Sequence, residues 1–189
     1  MIPEASIPVL QGTRVLLRHW TDADLAPFAA MNADAEVMQH FPATLSRAES
    51  DQLASRVRAH FELYGFGVWV LEIPGELSFA GCVGLQQVSF DAHFTPAVEI
   101  AWRLVRPAWG KHYATEAAEC ALRYAFEVKQ FPEVVSFTVP ANLRSQAVMQ
   151  RLRMHNKAED NFAHPKLPAG HALSAHVLYR LRHEEWIAK

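Results

Sequence analysis

Seven consecutive residues, Trp109-Gly110-Lys111-His112-Tyr113-Ala114-Thr115, stand between an apolar strand-like segment and an alanine-faced helical one. A helix that starts there turns unpaired backbone N–H groups and the positive end of its dipole toward the turn. That combination holds anions, phosphate above all. Gly110 lets a ligand approach the backbone. Arg103, Arg106, Lys111 and His112 bring positive charge close, with Arg144 and Arg151 as further candidates. Taken locally, the stretch fits a plain strand-to-helix turn with a solvated basic rim equally well. Neither GxGxxG nor a P-loop is present, so neither a dinucleotide fold nor an NTPase is supported. The chain has ten histidines, but none falls in an HxxxH or HExxH spacing on a predicted helix, and no cysteine accompanies them. No metal is expected. Cys82 and Cys120 lie in no CxxC or Cys/His spacing and read as small buried hydrophobes.

The elements that must position this turn are legible from periodicity. Pro96 to Val105 reads as a strand leading into it. Thr115 to about Lys129 reads as the helix leading out, with Ala114, Ala117, Ala118, Ala121, Leu122 and Ala125 on one face. Such small residues let a helix axis lie close to a sheet. Upstream, Thr13 to Arg18 alternates as a strand. Thr21 caps a short helix running to about Ala33, with a kink expected at Pro27. Ser46-Arg47-Ala48-Glu49 is a capping box, and Leu53, Val57, Phe61 and Tyr64 form the stripe of the helix behind it, which Gly65 and Gly67 end. Val68 to Ile73 and Phe79 to Val88 are strands joined by a Pro74-Gly75 turn. Downstream, Val134 to Val139 is a strand stopped by Pro140, and Asn142 caps a helix to about Leu152. Met154 to Asn161 and Ser174 to Leu181 close the chain as strands. The result is a mixed α/β chain with a hairpin-rich first half, not a regular βαβ repeat.

A length of 189 residues suits one domain, taken as residues 13–189 behind a loose lead-in at residues 1–12. The formal net charge of -2 gives no bulk attraction to nucleic acid or to an anionic membrane, so an anion site must be built locally. The first ten residues lack a basic region and a long apolar core, and no run approaches the ~20 apolar residues of a membrane span. These features point to a reducing, cytoplasmic compartment.

Three segments in order resemble the GNAT superfamily of N-acetyltransferases, and within it the branch of the ribosomal-protein alanine N-acetyltransferases. They are Val98-Glu99-Ile100-Ala101-Trp102-Arg103-Leu104, the turn Trp109 to Ala117, and Val139-Pro140-Ala141-Asn142-Leu143-Arg144-Ser145. Arg151 to Met154 and His176 to Tyr179 extend the likeness, which runs from about Thr13 to about Leu181. The resemblance implies an α+β fold: a mixed, mostly antiparallel twisted sheet of about seven strands with about four flanking helices. The sheet would splay between its fourth and fifth strands, with acetyl-CoA in the opening. Trp102, Leu104 and Val105 would pair with the pantetheine arm through their backbone. Trp109, Gly110, Lys111, His112, Tyr113, Ala114 and Thr115 would hold the pyrophosphate, and Asn142 and Ser145 would also contact the cofactor. The chain departs from the family where glycines are usual, at Ala101, His112 and Arg153. A non-glycine residue at positive φ costs about 1–2 kcal/mol.

Direct transfer to a primary amine needs a base, because an alkyl amine is mostly protonated at neutral pH. Glu99, in an apolar strand that would raise its pKa, is the candidate; a strand-edge carboxylate paired with a basic residue is the equal alternative. Backbone N–H groups near Leu104 or Val105 would serve the oxyanion, and the Ser145 hydroxyl the leaving thiolate. Ser145 reads equally as an ordinary third residue of a capped helix, and Asn142 as cap, cofactor contact or both. Tyr113 and Tyr179 read as core residues. His164 and His176 flank a loop that borders the acceptor in the family. The acceptor is a protein N-terminal amine or a small-molecule amine, and the enzyme a monomer or homodimer. The competing readings are a non-catalytic acyl-CoA-binding module or sensor, and a metal-dependent hydrolase on another fold.

Overall fold

A computed structural model describes residues 8–168 and 170–187. Of the lead-in expected at residues 1–12, residues 1–7 therefore lie outside the described residues. The chain forms β1 (Leu10–Gln11), β2 (Leu16–Arg18), α1 (Leu25–Ala33), α2 (Arg47–Tyr64), β3 (Val68–Ile73), β4 (Leu77–Gln87) and β5 (Val98–Leu104). Then follow α3 (Tyr113–Arg123), β6 (Glu133–Thr138), α4 (Leu143–Arg151), β7 (His155–Asn156), β8 (Phe162–Ala163), β9 (Ala175–Arg182) and α5 (His183–Ile187). The sheet runs in the order β1-β2-β3-β4-β5-β6-β9-β7, with β8 also on β9. All pairs are antiparallel except β5 with β6. The mixed, mostly antiparallel sheet is the expected one, with nine strands in place of about seven because β1 and β8 are two-residue additions.

The local signals explain most boundaries. Ser46 accepts the Glu49 N–H while the Glu49 carboxylate takes the Ser46 N–H, which starts α2 where the capping box placed it. Asp24 accepts both the N–H and the hydroxyl of Thr21, but the turn at Asp22–Asp24 is 3-10 and α1 begins only at Leu25. Pro27, expected slightly inside the helix, thus falls in the first turn of α1, where a missing N–H costs nothing. The expected strand over Met154 to Asn161 shrinks to His155–Asn156 because Ala158–Asp160 closes a 3-10 turn. Pairing of β2 begins at Leu16 rather than Thr13, since Gly12 donates to the Val15 carbonyl and turns the chain there.

The core lies between the sheet and its helices. Trp69, Val70 and Leu71 of β3 are fully buried. On the other side Ala117, Ala118 and Ala121 of α3 are likewise sealed against β4 and β5. The alanine face therefore does what its pattern predicts. Beyond Arg123 the helix relaxes into a π turn at Tyr124–Val128, so the long predicted helix is two conformations in series. Among the described residues no helix is long and apolar enough to cross a membrane.

Candidate active site

The sheet opens at its one parallel pair. β5 and β6 share a single paired position, Glu99 with Val135, and no ladder joins them beyond it. On its other edge β5 keeps full register with β4, from Gln87–Val98 to Gly81–Leu104. The Val105 N–H donates to the Ala80 carbonyl at 3.0 Å, so Leu104 and Gly81 form a non-hydrogen-bonded pair. Alternation along an antiparallel ladder then turns the peptide groups of Trp102 and Leu104 away from β4, into the gap. A cavity of about 1180 Å³ fills that gap and reaches from the start of α3 to the segment between α1 and α2.

One wall is the turn after β5. Arg106–Ala108 make a 3-10 turn, Gly110 adopts φ 74°, and His112 caps α3 at φ 64°. A side chain at Gly110 would meet nothing, so glycine is favoured there by the backbone angle and not by crowding. His112 places no side chain on the helix end, which leaves the amides of the first turn without a side-chain cap. Glu116, an acid in that first turn, is tied down by Arg14 through Nε at 2.8 Å. Thr115 lines the cavity, and its hydroxyl is buried without a hydrogen-bond partner among the described residues. The Trp109 indole donates to the Leu104 carbonyl at 2.8 Å, and the Arg144 guanidinium lies 4.6 Å from the centre of its ring.

The opposite junction, from β6 into α4, is built differently. The Asn142 side chain accepts the Ser145 N–H at 3.2 Å and donates to the Thr138 hydroxyl at 2.9 Å. Asn142 is thus a helix cap that also lines the cavity, and Ser145 sits at the third helical position with its residue facing the same space.

Glu99 stands where the two strands part. It is buried, lines the cavity, and accepts one hydrogen bond from Gln86 Nε2 at 2.7 Å. Burial pushes its carboxyl up to about 7, with the Gln86 amide pulling only partly the other way. No basic residue forms an ion pair with it among the described residues, so the alternative of a strand-edge salt bridge is not what the fold builds.

Trp102, Leu104, Trp109, Gly110, His112, Tyr113, Ala114, Thr115, Asn142 and Ser145 all line the same cavity as Glu99. Val105 and Lys111 do not. The Val105 N–H is committed to Ala80, which leaves Leu104 as the amide that faces the gap. The Lys111 ammonium pairs with Glu76, outside the opening, and Tyr113 donates to the same carboxylate at 2.8 Å. Arg106 is likewise taken, by Asp34 and Glu36, each at 2.9 Å. Two members of the basic rim read from the sequence, Arg106 and Lys111, are therefore spent on internal ion pairs, and the backbone amides at the start of α3 face the cavity with Arg144 and Arg151 lining it as well. Tyr179 is buried against α4 and away from the opening.

Sequence reasoning missed two parts of the site. Gln86 reaches Glu99 only through the β4–β5 register. An aromatic cluster of Phe90, Phe137 and Phe162 surrounds His164 and His176, whose rings lie 5.0 Å apart. Burial pushes both imidazoles below their ordinary pKa. Phenylalanines from three distant segments carry no periodic signal. Among the described residues no cluster of three or more His, Cys, Asp or Glu could hold a metal ion.

The family model described as an acetyltransferase (GNAT) domain matches residues 14–155. Among curated proteins, an uncharacterised protein of Bacillus subtilis, YkkB, is 28% identical over 75% of this chain and 82% of its own. An FsC-acetyl coenzyme A-N(2)-transacetylase of Aspergillus fumigatus is 32% identical over 65% of this chain and 53% of its own length. Among solved structures, Mycobacterium smegmatis RimJ in complex with CoA-disulfide superposes with a TM-score of 0.76, at 20% identity, over 95% of this chain and 89% of that one.

Proposed function

Because the chain belongs to the GNAT acetyltransferase family, we propose that it moves an acetyl group from acetyl-CoA directly to a primary amine, with Glu99 as the general base. The observation that carries this reading is Glu99 itself: a buried carboxyl near pKa 7 at the point where β5 and β6 separate, facing a cavity. The cavity residues fit the cofactor. The uncapped start of α3 offers amides to the pyrophosphate, and the inward peptide groups of Trp102 suit an amide-rich pantetheine arm. Acetyl-CoA supplies the activated acetyl group.

The chain's own residues do the rest. Glu99, ionised, takes the proton of the incoming ammonium, directly or through a water, and so makes the amine nucleophilic. The Leu104 N–H faces the position where the carbonyl oxygen gains charge, and it donates without reorganising. The Ser145 hydroxyl lies on the facing helix and serves the departing thiolate. The walls of the gap hold the reacting groups in a desolvated space, which strengthens each of these interactions. The cavity bears more positive than negative side chains, so it favours the anionic cofactor and disfavours a polycationic acceptor. Protein N-terminal amines and small amines both remain compatible acceptors.

A thiol-release assay with acetyl-CoA and a mixed panel of amines and peptides tests the proposal. Turnover on at least one acceptor, lost in Glu99→Gln with CoA affinity kept, is the expected result. Tight CoA binding with no turnover on any amine would instead make the protein an acyl-CoA-binding module.

A further inference from the structure

One side chain in the cavity is not used by the transfer chemistry and is held in an unusual way. Arg103 lies on the same face of β5 as Glu99 and lines the opening. Its Nη1 donates to Asn32 Oδ1 at 2.6 Å, and the guanidinium carbon sits 4.2 Å from the centre of the Phe41 ring. Asn32 in turn donates to the Ser50 hydroxyl at 2.8 Å, and both of those residues are fully buried. Its Nε is buried with no hydrogen-bond partner among the described residues.

Every one of these partners is neutral. Burial pushes the Arg103 pKa down, yet a guanidinium stays charged in a protein. The nearby acids do not compensate. Glu36 is committed to Arg106 at 2.9 Å. Cys82, directly across the ladder from Arg103, stays a thiol because burial pushes it up to about 11. A half-buried cation without a counter-charge is costly, and the fold has nonetheless fixed it through a chain of hydrogen bonds to the buried Asn32 and Ser50. A fixed, unpaired guanidinium at the wall of a binding cavity is complementary to a carboxylate or phosphate oxygen.

We propose that Arg103 binds an anionic group of the acceptor, so that the preferred acceptor is an amine that also carries a carboxylate. This rests on the acetyl-transfer reading. The Cα atoms of Glu99 and Arg103 are about 13 Å apart along the strand, which separates the acceptor's amine end from its acidic end. The surrounding histidines and phenylalanines add no negative charge that would compete for the guanidinium.

The test uses matched acceptors long enough to span that separation: tri- and tetrapeptides, each beside its C-terminal carboxamide, assayed with acetyl-CoA. The carboxylate members are expected to give at least about ten-fold higher kcat/KM, the scale of one charge-assisted hydrogen bond. Arg103→Gln should bring that ratio to near one by raising the acceptor KM, with the acetyl-CoA KM changed less than about two-fold. Arg103→Lys, which keeps the charge, should retain part of the preference, and it decides the matter if the glutamine variant does not fold. A wild-type ratio near one, or a rise confined to the acetyl-CoA KM, overturns the proposal; the second result would assign the guanidinium to the cofactor's phosphates. Calorimetry of the same probes with CoA present separates the two readings. Arg103-dependent carboxylate binding without turnover keeps this proposal and removes acetyl transfer, and neither binding nor turnover removes both.

Discussion

The two strand-to-helix junctions that flank the opening face the same cavity and solve the same electrostatic problem in opposite ways. Both follow one of the parallel strands, β5 or β6, and both aim a helix N-terminus inward. At α4 one of the orphan amides, that of Ser145, is answered by the chain itself, through Asn142 Oδ1. At α3 no side chain answers them, and the capping residue is a histidine held in the left-handed region. An uncapped helix start beside a cavity leaves amides that a ligand could take in place of water, as the proposed cofactor site requires, whereas a capped start has already committed one of them. Glu99 lies between the two, at the last position where the strands still pair.

The largest effect should come from that midpoint. Glu99→Gln is expected to lower kcat by about 10²–10⁴-fold while leaving CoA affinity within about two-fold, because the proposed cofactor anchor is at α3 and not at Glu99. Equal losses in both would show that the base and the anchor are not separate. Next in size is His112→Asp, which sets a negative charge at the uncapped junction. CoA binding by calorimetry should weaken about ten-fold or more, consistent with the 1–2 kcal/mol of a charge at a helix end. The corresponding change at the capped junction, Asn142→Ala, should instead appear as about 1 kcal/mol of lost stability in denaturant melts, with CoA affinity changed only a few-fold. A large affinity loss there would make Asn142 a cofactor contact first and a cap second.

A pH profile sharpens the midpoint further. The carboxyl of Glu99 is raised to about 7, and in the proposed mechanism the ionised form is the active one. Thus kcat/KM should rise with pH through about 7, and Gln86→Leu, which removes the donor that favours ionisation, should move that limb upward. The smallest effect concerns backbone strain. Arg153 sits at φ 62° after α4, and His112 at φ 64° before α3. Arg153→Gly should raise stability by about 1 kcal/mol or less, the left-handed cost net of the added chain entropy. His112→Gly should do the same, and any fall in CoA affinity with it would measure what the imidazole contributes at the anion site.

How much of this was readable beforehand depends on the range of the interaction involved. The alanine face of α3, the capping box of α2 and the Asn142 cap are local codes, written within a few residues, and each appears as read. Pro27 misled because a 3-10 turn at residues 22–24 shifts the helix start, a choice set by the buried Asp24 bonding to Thr21 and to Arg18 at 2.7 Å. The charges misled more. Arg106 and Lys111 are close in sequence to the anion site, but their partners, Asp34, Glu36 and Glu76, come from segments far along the chain.

The sequence by itself determined the family, the order of strands and helices around the turn, and the residues that could serve as base and cap. The order of elements and the caps follow from periodicity and short-range hydrogen bonding, and the family and the candidate base from the resemblance of the three motif segments. Only the tertiary structure decided which donors stay free, because that depends on what the rest of the chain brings against them. It gave Lys111 and Val105 other partners and gave Glu99 burial and a single amide partner. It also left Arg103 charged, fixed and unpaired beside the cavity.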